Sequence, residues 1–143
     1  MKLSLRRRSA SRARPGRARR GTTTVEFAIV CPILFTFFFA AVEFGRANQI
    51  LNATSNAAYQ GCRAAIVPGG TAAMAISAAN ATLSAGLISG ATVTVNPSTI
   101  TNSTTSITVT VVVPLNSNTW DTQFFTLGRS ETRACTLTRE KTN

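Results

Sequence analysis

The chain has no histidine among its 143 residues, and it has only five acidic residues and three cysteines. The absence of histidine excludes Ser–His and Cys–His catalytic arrangements and removes the commonest zinc ligand. The sequence also has no CxxC motif and no glycine-rich phosphate loop. Its acids are scattered, so no pair is placed for general acid–base catalysis. These absences argue against an enzyme and predict neither a cofactor nor a metal site.

Charge is distributed unevenly along the chain. Residues 1–20 contain nine of the fifteen basic residues and no acid, so they account for almost all of the formal net charge of +10. The rest of the chain has six basic and five acidic residues. An arginine-rich segment can bind nucleic acid, but no aromatic residue is interleaved here and an apolar run follows at once. We therefore expect no nucleic acid partner.

A charge-free run follows the basic segment. Residues 27–42 (FAIVCPILFTFFFAAV) are uncharged, and a helix over 22–42 would be about 31 Å long, enough to cross a bilayer. The basic flank predicts a cytoplasmic N terminus and an extracytoplasmic C-terminal part. A mitochondrial transit peptide fits poorly because Pro15 and Gly16 would break an amphipathic helix. A conventional secretory signal fits poorly because the sequence after the run is a poor cleavage site.

One carboxylate, Glu26, lies just inside the membrane end of this segment, five residues after Gly21. A buried acid there is costly unless a cation is close to it. Cleavage after Gly21 would create a free α-amine at Thr22, one helical turn from Glu26, and the amine of a neighbouring subunit could serve as well. A signal anchor with Glu26 at the level of the lipid headgroups explains the same residues. On physical grounds both interpretations stay open.

Several blocks of residues resemble known families. Gly21 followed by Glu26 at the fifth position resembles the processing signal of type IV prepilins. Three blocks resemble the TadE-like family, the minor pseudopilins of the Tad (Flp-type) pilus: residues 25–32 (VEFAIVCP), 43–46 (EFGR) and 61–65 (GCRAA). The chain departs from the family pattern at residues 22–24, where alanine is usual, and at residues 59–60, where Arg-Glu is often found.

The resemblance implies a pseudopilin precursor in the inner membrane of a bacterium. It implies that a membrane aspartyl prepilin peptidase cuts between Gly21 and Thr22, and that Glu26 pairs with the new amine during assembly. The implied partners are this peptidase, other pilin or pseudopilin subunits, the pilus assembly machinery and membrane lipid. The alternative is an uncleaved, signal-anchored extracytoplasmic binding or envelope protein.

Hydrophobic periodicity predicts an α+β, pilin-like fold after the basic leader of residues 1–21. Residues 22–66 should form one helix, which spans the membrane over 22–42 with a kink at Pro32 and then becomes amphipathic. Arg46 is expected on its polar face. The apolar stripe of the amphipathic part is predicted at Phe44, Ala47, Leu51, Thr54, Ala58, Gly61 and Ala65.

The extracytoplasmic domain, residues 43–143, is predicted to add a short second helix and a small sheet. Thr71 should cap the helix. Alternation at period two predicts a three-stranded antiparallel sheet, and Phe124 and Phe125 are expected to anchor the loop over 116–123 in the core. The buried line of the helix is predicted at Ile76, Ala79, Leu83 and Leu87, and the strands over 91–95, 107–113 and 130–139.

The three cysteines fall in two regions. Cys31 lies inside the apolar run, where a free thiol behaves as a small hydrophobic side chain. Cys62 and Cys135 both lie in the part expected outside the cytoplasm, so an oxidising compartment would permit a disulfide between them. A disulfide and two free thiols are both compatible with the sequence.

Overall fold

The structure is a computed structural model that describes residues 18–119 and 124–139, with side chains from Gly21 onward. Most of the predicted leader, residues 1–17, and the predicted loop positions 120–123 therefore lie outside the described residues. The chain forms two compact units, residues 1–37 and 38–143. The elements follow the predicted α+β order of a long helix, a short helix and three strands.

The long helix α1 (Ala18–Ile66) contributes to both units. It ends at the predicted residue, and the turn that follows includes Gly69 with a φ of 81°, a left-handed value that glycine adopts without steric cost. It begins four residues earlier than predicted, so the bond between Gly21 and Thr22 lies within helical backbone. Residues 21–42 are exposed almost throughout, and α1 contains a segment long and apolar enough to cross a membrane.

The C-terminal half of α1 packs into the core along one face. The predicted stripe is correct from Thr54 onward, but Phe44 is exposed and Leu51 is only partly buried. Ile50, which was not predicted, is fully buried in place of Leu51. The buried face recurs at spacings of three and four residues and consists of Ile50, Thr54, Ala57, Ala58, Gly61, Cys62 and Ala65.

The second helix, α2 (Ala72–Ala85), begins as predicted, because the Thr71 hydroxyl accepts a hydrogen bond from the Met74 N–H at 3.3 Å. The prediction that Leu87 is buried is wrong, since its side chain is 84% exposed. The helix ends at Gly86, and Leu87 takes a left-handed φ of 53°. Ile88 closes this turn with a hydrogen bond to the Leu83 carbonyl and is the residue that enters the core.

The three strands form one antiparallel sheet in the order β1-β2-β3, with β1 (Thr92–Asn96), β2 (Ser106–Pro114) and β3 (Ser130–Thr138). The predicted bounds are correct to within one residue at each end. The central strand β2 alternates as expected. Its inward side chains are fully buried and consist of Ile107, Val109, Val111 and Val113.

Gly61 is the point at which α1, α2 and the sheet meet most closely. A Cβ atom on this residue would lie 3.1 Å from the Ala75 carbonyl oxygen and 3.1 Å from Cγ1 of Val109. Both distances are shorter than ordinary van der Waals contact, so only a residue without a side chain suits this position. The close approach explains why α2 faces α1 with alanines at Ala75 and Ala79.

Candidate functional site

The predicted processing site lies near the start of α1, in the first unit. Gly21 and Thr22 are exposed and helical. A Cβ atom built on Gly21 would meet no atom within 4 Å, so the described fold does not itself require glycine there. Glycine disfavours a helix by about 1 kcal/mol relative to alanine. The local helix is therefore easier to unwind at the peptide bond that a protease would have to reach.

Glu26 lies one helical turn after Thr22 on the exposed surface of α1. Its neighbours Val25 and Ile29 are 60% and 62% exposed, so the carboxylate is surrounded by apolar side chains that face outward. Within the described part of the chain, no ion pair joins Glu26 to a cation. A carboxylate in this setting can take a cationic partner from outside the described residues.

Pro32 lies inside α1 without ending it. Proline cannot donate a backbone hydrogen bond, so the carbonyl one turn earlier loses its helical partner. The Thr36 hydroxyl donates to the Pro32 carbonyl at 2.9 Å. The helix α1 is continuous through Pro32. The predicted kink at this residue stays a prediction.

A second carboxylate on α1, Glu43, is buried in the second unit with 9% of its surface exposed. Its Oε1 atom accepts hydrogen bonds from the N–H of Phe125 at 2.9 Å and from the N–H and hydroxyl of Thr126 at 2.6 and 2.7 Å. Its Oε2 atom accepts from the N–H of Phe124 at 3.2 Å. We call this arrangement the Glu43 clamp, because one side chain holds three consecutive backbone amides of the turn between β2 and β3.

The clamp favours the charged form of Glu43. Burial alone would raise the pKa of the carboxyl group, but the hydrogen bonds from Thr126, Phe125 and Phe124 outweigh burial and hold the pKa below its usual range. The carboxylate therefore stays ionised at neutral pH without a cationic partner among these contacts. It acts as an acceptor for backbone amides that would otherwise lack one.

Arg46, one turn after Glu43, holds two further segments against α1. Its Nε atom donates to the Asn118 carbonyl at 2.8 Å, and a terminal nitrogen lies 3.4 Å from the Leu87 carbonyl. The Asn118 side chain in turn accepts from the Ser89 N–H at 2.7 Å and donates to the Ser89 and Pro114 carbonyls. Arg46 was expected only on the polar face of α1; the structure shows that it is half-buried and that its guanidinium group holds the loop after β2.

The prediction that Phe124 and Phe125 anchor a loop in the core is also wrong. Phe124 is 71% exposed and Phe125 is 45% exposed, and Phe125 stacks on Phe44 with ring centroids 5.8 Å apart. The turn is held by the hydrogen bonds to Glu43, and these aromatic rings point outward. The sequence predicted no role for Glu43, although an acid placed directly after a charge-free run was an available signal.

Residues 21–63 match the family model for TadE-like protein. The match confirms the resemblance that the sequence motifs indicated, and it connects the chain with the minor pilins of the Tad pilus. TadE-like proteins are structural components of that pilus rather than enzymes. No curated protein and no solved structure matches the chain.

The TadE-like segment contains both carboxylates of α1 that the site depends on. Glu26 and Glu43 lie within residues 21–63, whereas the residues that donate hydrogen bonds to Glu43 in the described part of the chain, Phe124, Phe125 and Thr126, lie beyond them. The Glu43 clamp therefore joins the TadE-like helix to the part of the chain that the family model does not cover. In the described part of the chain no cluster of three metal-ligating side chains occurs.

Cys62 and Cys135 lie next to each other in the structure, and both are free thiols. The Cys62 thiol donates to the Cys135 carbonyl at 2.9 Å. Burial, followed by a hydrogen bond with the Cys135 side chain, raises the pKa of Cys62 to about 11. Only about one in 10⁴ of the Cys62 thiols would then be the reactive thiolate at pH 7. A disulfide between them stays a prediction, and it would form most readily before the domain is fully folded.

Substitution of Glu43 tests the clamp. We expect Glu43→Gln to lower the melting temperature of the full chain in detergent by about 5 °C or more, because an amide nitrogen would oppose the Phe124 N–H. The control is Glu131→Gln, which removes a partly exposed and long ion pair with Arg133 at 3.8 Å and should shift the melting temperature by no more than about 2 °C. Equal shifts for the two variants would contradict the clamp.

The same experiment has a pH dependence with a defined sign. Because folding lowers the pKa of Glu43, its contribution to stability is complete above the ordinary glutamate value of about 4.3 and is lost as the pH falls below it. We expect the wild-type melting temperature to fall in this acid range, and the Glu43→Gln variant to show a smaller fall. Identical acid profiles would show that Glu43 is not the group responsible.

The cysteine pair is tested by trapping free thiols in protein from the native host. An extracytoplasmic dithiol oxidoreductase in its oxidised form would accept two electrons and two protons from the pair and leave a disulfide. Denaturation without reductant should then expose only Cys31 to alkylation. Reduction before alkylation should expose all three cysteines and serves as the control. Alkylation of Cys62 and Cys135 without reduction would contradict the disulfide.

Proposed function

We propose that this chain is the precursor of a minor pilin of the Tad pilus, cut between Gly21 and Thr22 by a membrane aspartyl prepilin peptidase. The observation that carries the proposal is the start of α1. There a glycine and, five residues later, a carboxylate lie on an exposed apolar helix, in a segment that matches the TadE-like model. The chain is in this view a substrate of the peptidase and a structural subunit.

The distribution of charge supports a defined membrane topology. The basic leader keeps the N terminus in the cytoplasm, α1 crosses the inner membrane once, and the domain of residues 43–143 lies on the outer side. The leader also acts as a stop, because its arginines cannot follow the helix through the hydrocarbon core. Its removal would allow the helix to leave the membrane when the subunit enters a filament.

Cleavage would give Glu26 the cation that it lacks among the described residues. The new N terminus at Thr22 would carry a free or methylated amine at the start of the shortened helix. During assembly the amine of a neighbouring subunit would pair with Glu26 and would offset the cost of moving the carboxylate through lipid.

The cleavage step is tested by Gly21→Ala. A Cβ atom at Gly21 meets no atom within 4 Å, so the variant should fold normally while its added methyl group obstructs the peptidase. We expect wild-type protein from the native host to begin at Thr22. The variant should accumulate at least about tenfold more uncut precursor, which corresponds to an increase of about 1.4 kcal/mol in the activation free energy of cleavage. Edman sequencing and intact mass report both species.

Gly45→Ala is the matched control for this experiment. Gly45 lies on the same helix with equally open space around a built Cβ atom, so the change should leave cleavage unaffected. Wild-type protein that begins at Met1 would overturn the processing proposal and leave a permanently anchored envelope protein. A start near Glu43 would instead indicate ordinary secretion.

The assembly step is tested by Glu26→Ala. We expect this variant to be cut as wild type is, because the change lies five residues from the scissile bond. We also expect about tenfold less of it in sheared pili, which corresponds to about 1.4 kcal/mol of pairing free energy. The measurement is the ratio of the chain in pili to the chain in membranes. Glu131→Gln, which changes a partly exposed acid of β3 far along the chain from Glu26, should keep the wild-type ratio. Normal incorporation of Glu26→Ala would exclude the pairing with the amine.

A further inference from the structure

Four large apolar side chains on one turn and its neighbouring helix face outward, and the proposed function leaves them without a role. They are Phe44, Phe124, Phe125 and Leu127, which are 57%, 71%, 45% and 72% exposed. We call this set the exit patch. Contiguous exposed apolar surface on a folded domain commonly marks a site of contact with a partner or a membrane.

The Glu43 clamp fixes the height of the exit patch along α1. Glu43 is the first residue after the charge-free run, and its carboxylate holds the amides of residues 124–126 within 3.2 Å. Phe44 and Phe125 are stacked at 5.8 Å between ring centroids. The turn therefore lies beside Glu43, the residue that directly follows the apolar run. Phe38 and Val42, which belong to the run and to the same unit, are 61% and 48% exposed.

Several backbone N–H groups of the turn already have hydrogen-bond acceptors, which lowers the free-energy cost of moving the turn from water into lipid. An amide that enters a lipid environment without a partner costs several kcal/mol. Here the N–H groups of residues 124–126 all donate to Glu43, and the Arg129 N–H donates to the Thr126 carbonyl at 3.2 Å. Gly128 closes the turn with a φ of 72°. The N–H groups of residues 124–126 and of Arg129 thus already have acceptors within the chain.

We propose that the exit patch inserts into the outer interfacial layer of the bilayer that α1 crosses. Phe124 and Leu127 lie among the upper acyl chains, and the exposed Arg129 beside them meets lipid phosphate. The patch would then hold the domain of residues 43–143 against the membrane until the subunit is extracted. The inference rests on the membrane span of the proposed function and is independent of cleavage after Gly21.

A tryptophan placed in the exit patch reports lipid contact directly. The full chain is reconstituted in vesicles of phosphatidylethanolamine and phosphatidylglycerol with brominated acyl chains, and Trp120, which lies outside the described residues, is replaced by phenylalanine. Single tryptophans are then introduced as Phe124→Trp, as Phe38→Trp in the apolar run, and as Val67→Trp. Val67 is a matched control because it is 53% exposed but lies 23 residues beyond Phe44, just past the end of α1.

We expect bromine to quench Phe38→Trp and Phe124→Trp, with the loss of fluorescence at Phe124 about twofold or more greater than at Val67. Leu127→Trp should behave as Phe124→Trp does, and it provides the readout if the first variant does not fold. The proposal would be overturned if bromine quenched the Phe38 probe but quenched the Phe124 and Leu127 probes no more than the Val67 probe. That result would leave the membrane span intact.

Two other outcomes are also decisive. If the Phe124 probe escapes bromine but becomes shielded from an aqueous quencher as protein concentration rises, a second copy of the chain covers the patch and the lipid proposal is wrong. If the Phe38 probe is not quenched, the membrane span fails together with the proposal. Lipid quenching of an uncut chain would support the exit patch even if processing at Gly21 were disproved.

Discussion

A buried carboxylate, Glu43, holds the second unit together through hydrogen bonds, and no ion pair of Glu43 occurs among the residues that the structure describes. Burial of an ionised side chain is unfavourable unless polar groups replace its hydration, and backbone amides are suitable replacements because their positions are fixed by the fold. Glu43 receives three such amides and one hydroxyl. The benefit is mutual, since the amides of residues 124–126 lie in an irregular turn that offers them no strand partner. Glu43 thereby joins the middle of α1 to the connection between the two longer strands.

The two carboxylates of the TadE-like segment differ in the origin of their partners. Glu43 is satisfied within its own chain, whereas Glu26 is exposed and has no ion pair with any side chain the structure describes. Both acids flank the charge-free run, one on each side. An acid that is satisfied internally stabilises the monomer, and an acid left open is available to another molecule. This contrast assigns a role in folding to Glu43 and supports the proposal that Glu26 acts in assembly.

The elements that sequence alone predicted well are those set by local periodicity. The strands were correct to within a residue because valine and threonine alternate at period two, and the start of α2 was correct because Thr71 caps it locally. The predictions were wrong where a tertiary contact determines which residue is buried. Ile50 rather than Leu51 enters the core, and Leu87 is exposed because the turn after α2 brings Ile88 inward. Nothing local in the sequence revealed that the turn at Phe124 is held by a residue some eighty positions earlier.

The glycines of α1 differ in the space that the fold leaves for a side chain. Gly61 is required by the fold, since a Cβ atom would lie 3.1 Å from atoms of both α2 and β2. Gly21 and Gly45 have open space around the same position, although alanine would favour the helix by about 1 kcal/mol at each. The described fold therefore gives no reason for glycine at these two sites. A requirement for glycine there would come from a molecule that approaches the helix, and for Gly21 we propose the peptidase. Gly45 follows Phe44 at the level of the exit patch, where a bare backbone would permit the closest approach of lipid or a neighbouring subunit.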